Sequence, residues 1–464
     1  MSFTSLTFLT LFFPAAWLIW LACSRKTSVG NAVLLVLSLL FYGFGAWQNL
    51  VILLFMILFV YFGALSLQKC KSAKSRKWNA VFTTAVIIGV FALYRYLPGL
   101  SSSLSASFRG LPSFGLIMPV GLSFYSFSLL SYYFDVFYQK VPVQKNLISL
   151  GLYAAFFGRV NMGPIGHYES FAPQLKRHPL TMSRLQQGAQ LFLQGLVFKV
   201  MLADNFALVF SALSGETSWL GNLVLGFSYF LQLFFDFAGY SRMARGMGCF
   251  FGFEIPRNFN KPYTAISVQD FWRRWHISLT SWFRNYVYIP LGGNRVSHQR
   301  WILNILAVWL LTGIWHGASL NFLLWGLWQA GLILLEHLIG QKNLEKVPGF
   351  LRHLWVIFTQ LLGWTLFFSS SALPGFEIIG RYFGIGITGL ASMQALRVLG
   401  MSAVLFVAGA WCASSLPELF SRVMNRLLPK AWGWIRLAAY AGAFVVCLAM
   451  IISATSQSFL YAVF

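Results

Sequence analysis

Apolar residues in this chain fall in long unbroken runs, not in the period-2 or period-3.6 stripes of a water-soluble fold. The clearest runs cover about 6–23, 31–46, 50–66, 79–97, 115–137, 186–213, 219–240, 302–317, 319–338, 354–372, 397–414 and 434–454. A hydrocarbon core of ~30 Å takes roughly 20 apolar residues of helix. The runs therefore predict an all-α polytopic membrane protein with about twelve transmembrane helices. Two shorter stretches, about 146–160 and 376–392, predict re-entrant or interfacial segments.

Polar positions modify that picture in two places. Asn161-Met162-Gly163-Pro164-Ile165-Gly166 follows a short apolar run. Its proline and glycines leave backbone groups that lipid cannot satisfy, so the segment must be buried in protein or line a cavity. The stretch 241–300 is too polar to span and too aromatic for a free loop, and predicts short helices at an interface.

Of 464 residues, 58% are hydrophobic and only 10% charged, against about 25% charged in an average soluble domain. Lys and Arg number 34 against 11 Asp and Glu, a formal charge of +23. No RNA-binding signature or zinc-finger spacing accompanies that charge, so nucleic acid is not the expected partner. Basic loops that face anionic lipid headgroups account for it. Arg25 and Lys26 mark the first loop as cytoplasmic, and Lys69, Lys71, Lys74, Arg76 and Lys77 mark the third; the fourth, 98–114, carries only Arg109. Carrying the count forward places 241–300, 339–353 and 415–433 in the cytoplasm and both termini outside. The N-terminus lacks a basic n-region, so residues 6–23 read as a retained first helix. The cysteines Cys23, Cys70, Cys249, Cys412 and Cys447 show no paired spacing, and no disulfide framework or metal site is expected.

Gly384-Ile385-Gly386-Ile387-Thr388-Gly389 matches a dinucleotide-binding pattern, but no βαβ unit surrounds it; glycine packing in a membrane segment is the expectation. No GxSxG, HExxH or phosphate-binding P-loop occurs.

Seven histidines remain. His178, His298, His337 and His353 lie near span ends among basic residues and read as interfacial; His167 sits in the Gly-Pro break. His316 differs, lying between Gly313 and Gly317 at the junction of two apolar runs. An ionisable group there faces a cavity or a partner. Burial disfavours imidazolium, which suits a general base for a hydroxyl. A histidine bonded to a backbone carbonyl is the structural alternative. His276 lies in Phe271-Trp272-Arg273-Arg274-Trp275-His276, where Arg273, Arg274, Arg284 and Lys261 could neutralise donor phosphates and Trp272 and Trp275 could shield an acyl chain. Only Asp270 and Glu254 oppose these cations nearby, so they are expected to remain available. Asp236 reads as a structural acid near the end of a span, bonded to a backbone amide or to an arginine of 242–300.

These residues fall in a set of segments that resembles the membrane-bound O-acyltransferase family, on the bacterial branch that includes the alginate O-acetyltransferase membrane subunit. The segments are Pro119–Tyr125, Gly163–Ile165, Gln232–Ser241, Asn258–Tyr263, Phe271–Ser278, Tyr288–Arg295 and Thr312–Ala318, in family order over about 119–330. The resemblance implies one membrane domain over 1–464, with N-terminal helices to 114, a catalytic core over 115–340 and C-terminal helices beyond. It implies a helical ring around a tunnel, with His316 the essential histidine and His276 the second. Asp236, Asn258, Tyr240, Trp315 and Asn321 would line the tunnel or support it. Acetyl-CoA is the implied donor, with no bound cofactor, a polysaccharide as acceptor, a periplasmic partner acetyltransferase, and the bacterial inner membrane as location. Two departures stand out: Asn285 replaces a usual aspartate, and Gly363–Ser369 lacks a usual arginine. D-Alanyl transfer to teichoic acid and a non-enzymatic transporter are the alternatives. Whether His316 forms a covalent intermediate, acts as base or orients the acceptor stays open.

Overall fold

The protein is described by a computed structural model over residues 1–44, 46–107, 115–453 and 459–460, with side chains undescribed at 102–107. Arg109 lies outside the described residues. Each of the twelve apolar runs falls on a helix, and among the described residues there is no strand. Among the described residues seven helices are long and apolar enough to cross a membrane: Trp47–Lys69, Ala73–Ser101, Met182–Ala212, Trp219–Phe250, Leu320–Ile339, Met393–Ala413 and Trp432–Ile452. Phe8–Cys23 and Thr27–Gly43 are shorter apolar helices.

Several boundaries differ from expectation. The helix Trp219–Phe250 continues through 241–250, which hydropathy assigned to a loop. Met243, Ala244 and Met247 are buried there, and Gly246 makes close packing possible: a Cβ on it would lie 2.6 Å from the Gly188 carbonyl oxygen. The helix Ala73–Ser107 runs through Pro98 into the expected fourth loop. The run 115–137 becomes helix only at Leu122, because Gly121 adopts φ +77° ahead of it. A Cβ on Gly121 would collide with the Val160 carbonyl, so this turn takes only glycine. The glycine-rich 384–389 segment is a turn, not a packing motif. Gly384 and Gly386 have φ +82° and +69°, and a Cβ on either would meet nothing within 4 Å.

The chain divides into two compact units. The first comprises the described residues of Met1–Phe192 and Tyr240–Arg257. Phe8, Phe41 and Phe157 lie in its core. The Gly-Pro break is buried inside it, as lipid exclusion requires. Buried Arg159 donates to the Tyr153 carbonyl and lies over the Tyr153 and Phe171 rings at 4.6 and 4.7 Å.

The second unit comprises Leu193–Gly239 and Asn258–Leu460. Its central feature is the antiparallel pair His298–His316 and Leu320–Ile339. A Cβ on Gly313 would stand 2.6 Å from the Phe322 carbonyl oxygen, and one on Gly326 2.5 Å from that of Trp309. Both contacts are with backbone, which cannot swing aside. Gly326→Ala is expected to destabilise the pair by about 1–3 kcal/mol, the usual cost of overpacking, read as a lower melting temperature in detergent. An alanine variant that melts with the wild type would show that the helices can part freely.

Candidate functional site

The site assembles from two segments of the second unit. The first is the short helix Val268–Arg274, followed by His276 and the helix Ile277–Phe283. Ser267 caps the first helix by accepting from Asp270 N. Glu336, from the distant helix Leu320–Ile339, accepts from Val268 N at 2.6 Å and Gln269 N at 3.1 Å. Trp272 Nε1 donates to Gln329 Oε1 at 3.0 Å. The helix is therefore pinned at its start and at its middle by one spanning element.

The Asn258 strap fixes His276. Ile277 N donates to Asn258 O, and Asn260 N to Arg274 O, both at 2.9 Å. Asn258 Oδ1 accepts from Ser278 N and Ser278 Oγ. These bonds hold His276 at φ +43°, the left-handed region that a bulky side chain enters only when its surroundings impose it. Nδ1 of His276 accepts from Leu279 N at 3.3 Å, so the neutral ring carries its proton on Nε2. The ring is 2% exposed and lies 4.7 Å from Phe237. Burial pushes its pKa down to about 3, so it is neutral throughout the physiological range.

The second segment is the end of the helix His298–His316. The His316 imidazole is 6% exposed. It lies 4.4 Å from Trp315, 4.9 Å from Phe367 and 5.1 Å from Trp325. Trp315 is the ring the two histidines share, 6.4 Å from His276. The aromatic layer continues from Trp325 through Trp364, 5.9 Å away, to Trp275 and on to Phe271. Trp272 joins it through Trp309 at 4.6 Å. Trp309, Trp325, Trp364 and Phe367 were not foreseen. The only sequence signal was the aromatic spacing of Trp364 and Phe367, three apart on one helix face.

The other expected residues divide. Asn321 is buried and donates to the Leu366 and Ser369 carbonyls, closing the end of the helix Gly349–Phe368. Tyr240 belongs to the first unit, where its ring stacks on Phe3 at 4.6 Å. Among the described residues Asp236 forms no ion pair with an arginine. Its partner is Lys199, at 2.7 Å, which also binds Asp204 at 2.7 Å. The expected backbone amide is present, donated by Leu460. Lys199 escaped notice because an α-helix of 3.6 residues per turn sets positions five apart at about 140° to one another. Phe198–Ala203 is instead a π-helix with a Lys199 O···H–N Asp204 bond, which brings the two side chains together.

Two of the four expected cations prove to be paired. Arg274 binds Asp270 at 2.9 Å through i,i+4 geometry, and Lys261 binds Glu418 from far along the chain. Arg273 and Arg284 are exposed, and no ion pair is formed by either among the described residues. His298 and His337 stack on each other and on Trp301, and His178 bonds to Asn31; none of these joins the His276–His316 layer.

The profile described as "MBOAT, membrane-bound O-acyltransferase family" matches residues 34–342. A Pseudomonas aeruginosa protein described as "Probable alginate O-acetylase AlgI" is 31% identical over 449 residues, covering 93% of this chain and 84% of the relative. A Helicobacter pylori peptidoglycan O-acetyltransferase is 29% identical over 84% of this chain and 81% of its own length. A Bacillus subtilis teichoic acid D-alanyltransferase is 30% identical over 57% of this chain and 69% of its own.

Proposed function

We propose, from the premise that this chain belongs to the membrane-bound O-acyltransferase family, that it passes an acetyl group from cytoplasmic acetyl-CoA to a hydroxyl of an extracytoplasmic polysaccharide. The chain is a multi-pass membrane O-acyltransferase. The observation that carries the finer reading is the pair of buried histidines meeting at Trp315. His316 accepts the proton of the acceptor hydroxyl as that oxygen attacks the thioester carbonyl. The C–S bond then breaks, and the departing thiolate takes the proton back. A positioned base of this kind contributes about 10²–10⁴-fold.

The remaining groups serve that step. Exposed Arg273 and Arg284 meet the donor's phosphates. His276 stays neutral, and Asn258 holds it in place. Trp272 and Trp275 belong to the layer that keeps water from the thioester, while Asp236 and Asn321 brace the surrounding helices. Acetyl-CoA is polyanionic and cannot enter lipid, whereas its acetyl group is small. The reading therefore requires a ring of helices around a passage that reaches His316 from both faces. It places the protein in a bacterial inner membrane with both termini periplasmic, where the attacking hydroxyl belongs to the polysaccharide itself or to a serine of a periplasmic partner acetyltransferase that passes the acetyl group on to it.

The competing reading is D-alanyl transfer, which the Bacillus subtilis relative favours. Mass spectrometry of the ester released by mild base from the cell's glycans separates the two. Acetate that disappears with the gene is expected; alanine in its place would overturn the acetyl assignment.

A further inference from the structure

In the second unit, a cavity of about 610 Å³ lies among the helices Trp219–Phe250, Gly349–Phe368 and Met393–Ala413 and the turn Pro262–Thr264. This is within the ~300–1,000 Å³ typical of small-molecule sites. Phe230, Leu231, Ile357 and Phe406 wall it, and the small side chains of Ala410 and Ala413 keep it wide. From Phe406 to Ser414 it follows about 12 Å of helix. Neither His276 nor His316 lines it.

Its polar groups gather at one end. His353 sits near the start of one helix and Ser414 just past the last residue of another, with Thr264 on the turn. His353 Nδ1 lies 3.1 Å from the Ala265 carbonyl oxygen, and its Nε2 has no hydrogen-bond partner among the described residues. Two ion-paired cations adjoin the same end, Lys261 with Glu418 and Arg274 with Asp270. Arg274 Nη1 is 3.4 Å from Thr264 Oγ1, and Lys261 Nζ is 3.4 Å from Ser415 Oγ.

A second observation names the occupant. The helix Leu416–Leu427 begins two residues beyond Ser414 and buries no residue. Leu419, Phe420 and Val423 are exposed on it, and so are Arg422 and Arg426. Such a basic amphipathic helix lies along a lipid surface, which sets the polar end of the cavity at headgroup depth and its apolar walls at acyl depth. We propose that the cavity holds one acyl chain of a membrane phospholipid, with the phosphate facing His353, Lys261 and Arg274. The lipid braces the Asn258 strap through Tyr263, whose ring forms part of the wall, stacks on Phe230 at 4.0 Å and donates its hydroxyl to the Phe230 carbonyl at 2.6 Å.

The test uses the full chain in detergent with phosphatidylglycerol carrying a diazirine on one acyl chain. After irradiation and digestion, label is expected on peptides containing 227–231 and 406–414. Ala410→Leu, which fills the cavity, is expected to lower that label at least fivefold without lowering label on Trp432–Ile452. His353→Leu leaves the slot open and removes a headgroup contact; it is expected to lower the label severalfold, which covers the case of a misfolded Ala410 variant. Label spread evenly over all spanning helices, label unchanged in both variants, or label from a diazirine fatty acid but not from the phospholipid would each overturn the proposal.

Discussion

His316→Ala is expected to abolish polysaccharide ester formation, a loss of at least about 10²-fold and up to about 10⁴-fold if the imidazole is the base. Alanine also empties the space among Trp315, Trp325 and Phe367, and such a void costs several kcal/mol on its own. His316→Gln separates the two effects. Glutamine keeps most of the volume and a polar tip but cannot take up a proton near neutrality. It is expected to melt close to the wild type and to be as inactive as alanine. Esters measured on isolated glycan, with membrane levels of each variant measured in parallel, read both quantities. An active glutamine variant would reduce His316 to a packing residue.

Lys199→Met is expected to have the largest effect on stability. It leaves Asp204 and Asp236 without the ammonium group that each meets at 2.7 Å inside a spanning element. Breaking a buried ion pair from one side costs about 3–5 kcal/mol. The triple variant Lys199→Met, Asp204→Asn, Asp236→Asn removes every charge together and is expected to recover most of the loss, because replacing a whole buried pair is often close to neutral. Melting temperature in detergent distinguishes the single from the triple variant. The single variant should also lose activity, since Phe237, the next residue after Asp236, packs on the His276 ring. A single variant as stable as the wild type would show that water already reaches the cluster.

Much of the scaffold was legible in the sequence because hydrophobic runs report burial in lipid directly. All twelve runs lie on helices. Their ends were misjudged where polar residues continue a helix, as Arg242 and Arg245 do before Phe250, or where a backbone requirement such as Gly121 delays one. His316 could be singled out from its flanking glycines, and Gly313 does admit a backbone at close range. The partners could not be read. Lys199, Glu336, Gln329 and Glu418 meet Asp236, Val268, Trp272 and Lys261 across separations that no local spacing encodes. The same blindness made Lys261 look available, because Glu418 reaches it only by tertiary contact; the partner of Arg274, Asp270, was in view four residues away, and helical register brings the two together.

The central claim is transfer through the buried histidine layer from one face of the membrane to the other. Sealed inverted vesicles that hold the acceptor glycan and the partner acetyltransferase inside, given acetyl-labelled CoA outside only, test it most directly. Label is predicted to appear as ester on luminal glycan with the wild type and to be absent with His316→Gln. Luminal esters formed equally by that variant, or by wild type only when the donor is inside, would contradict the account.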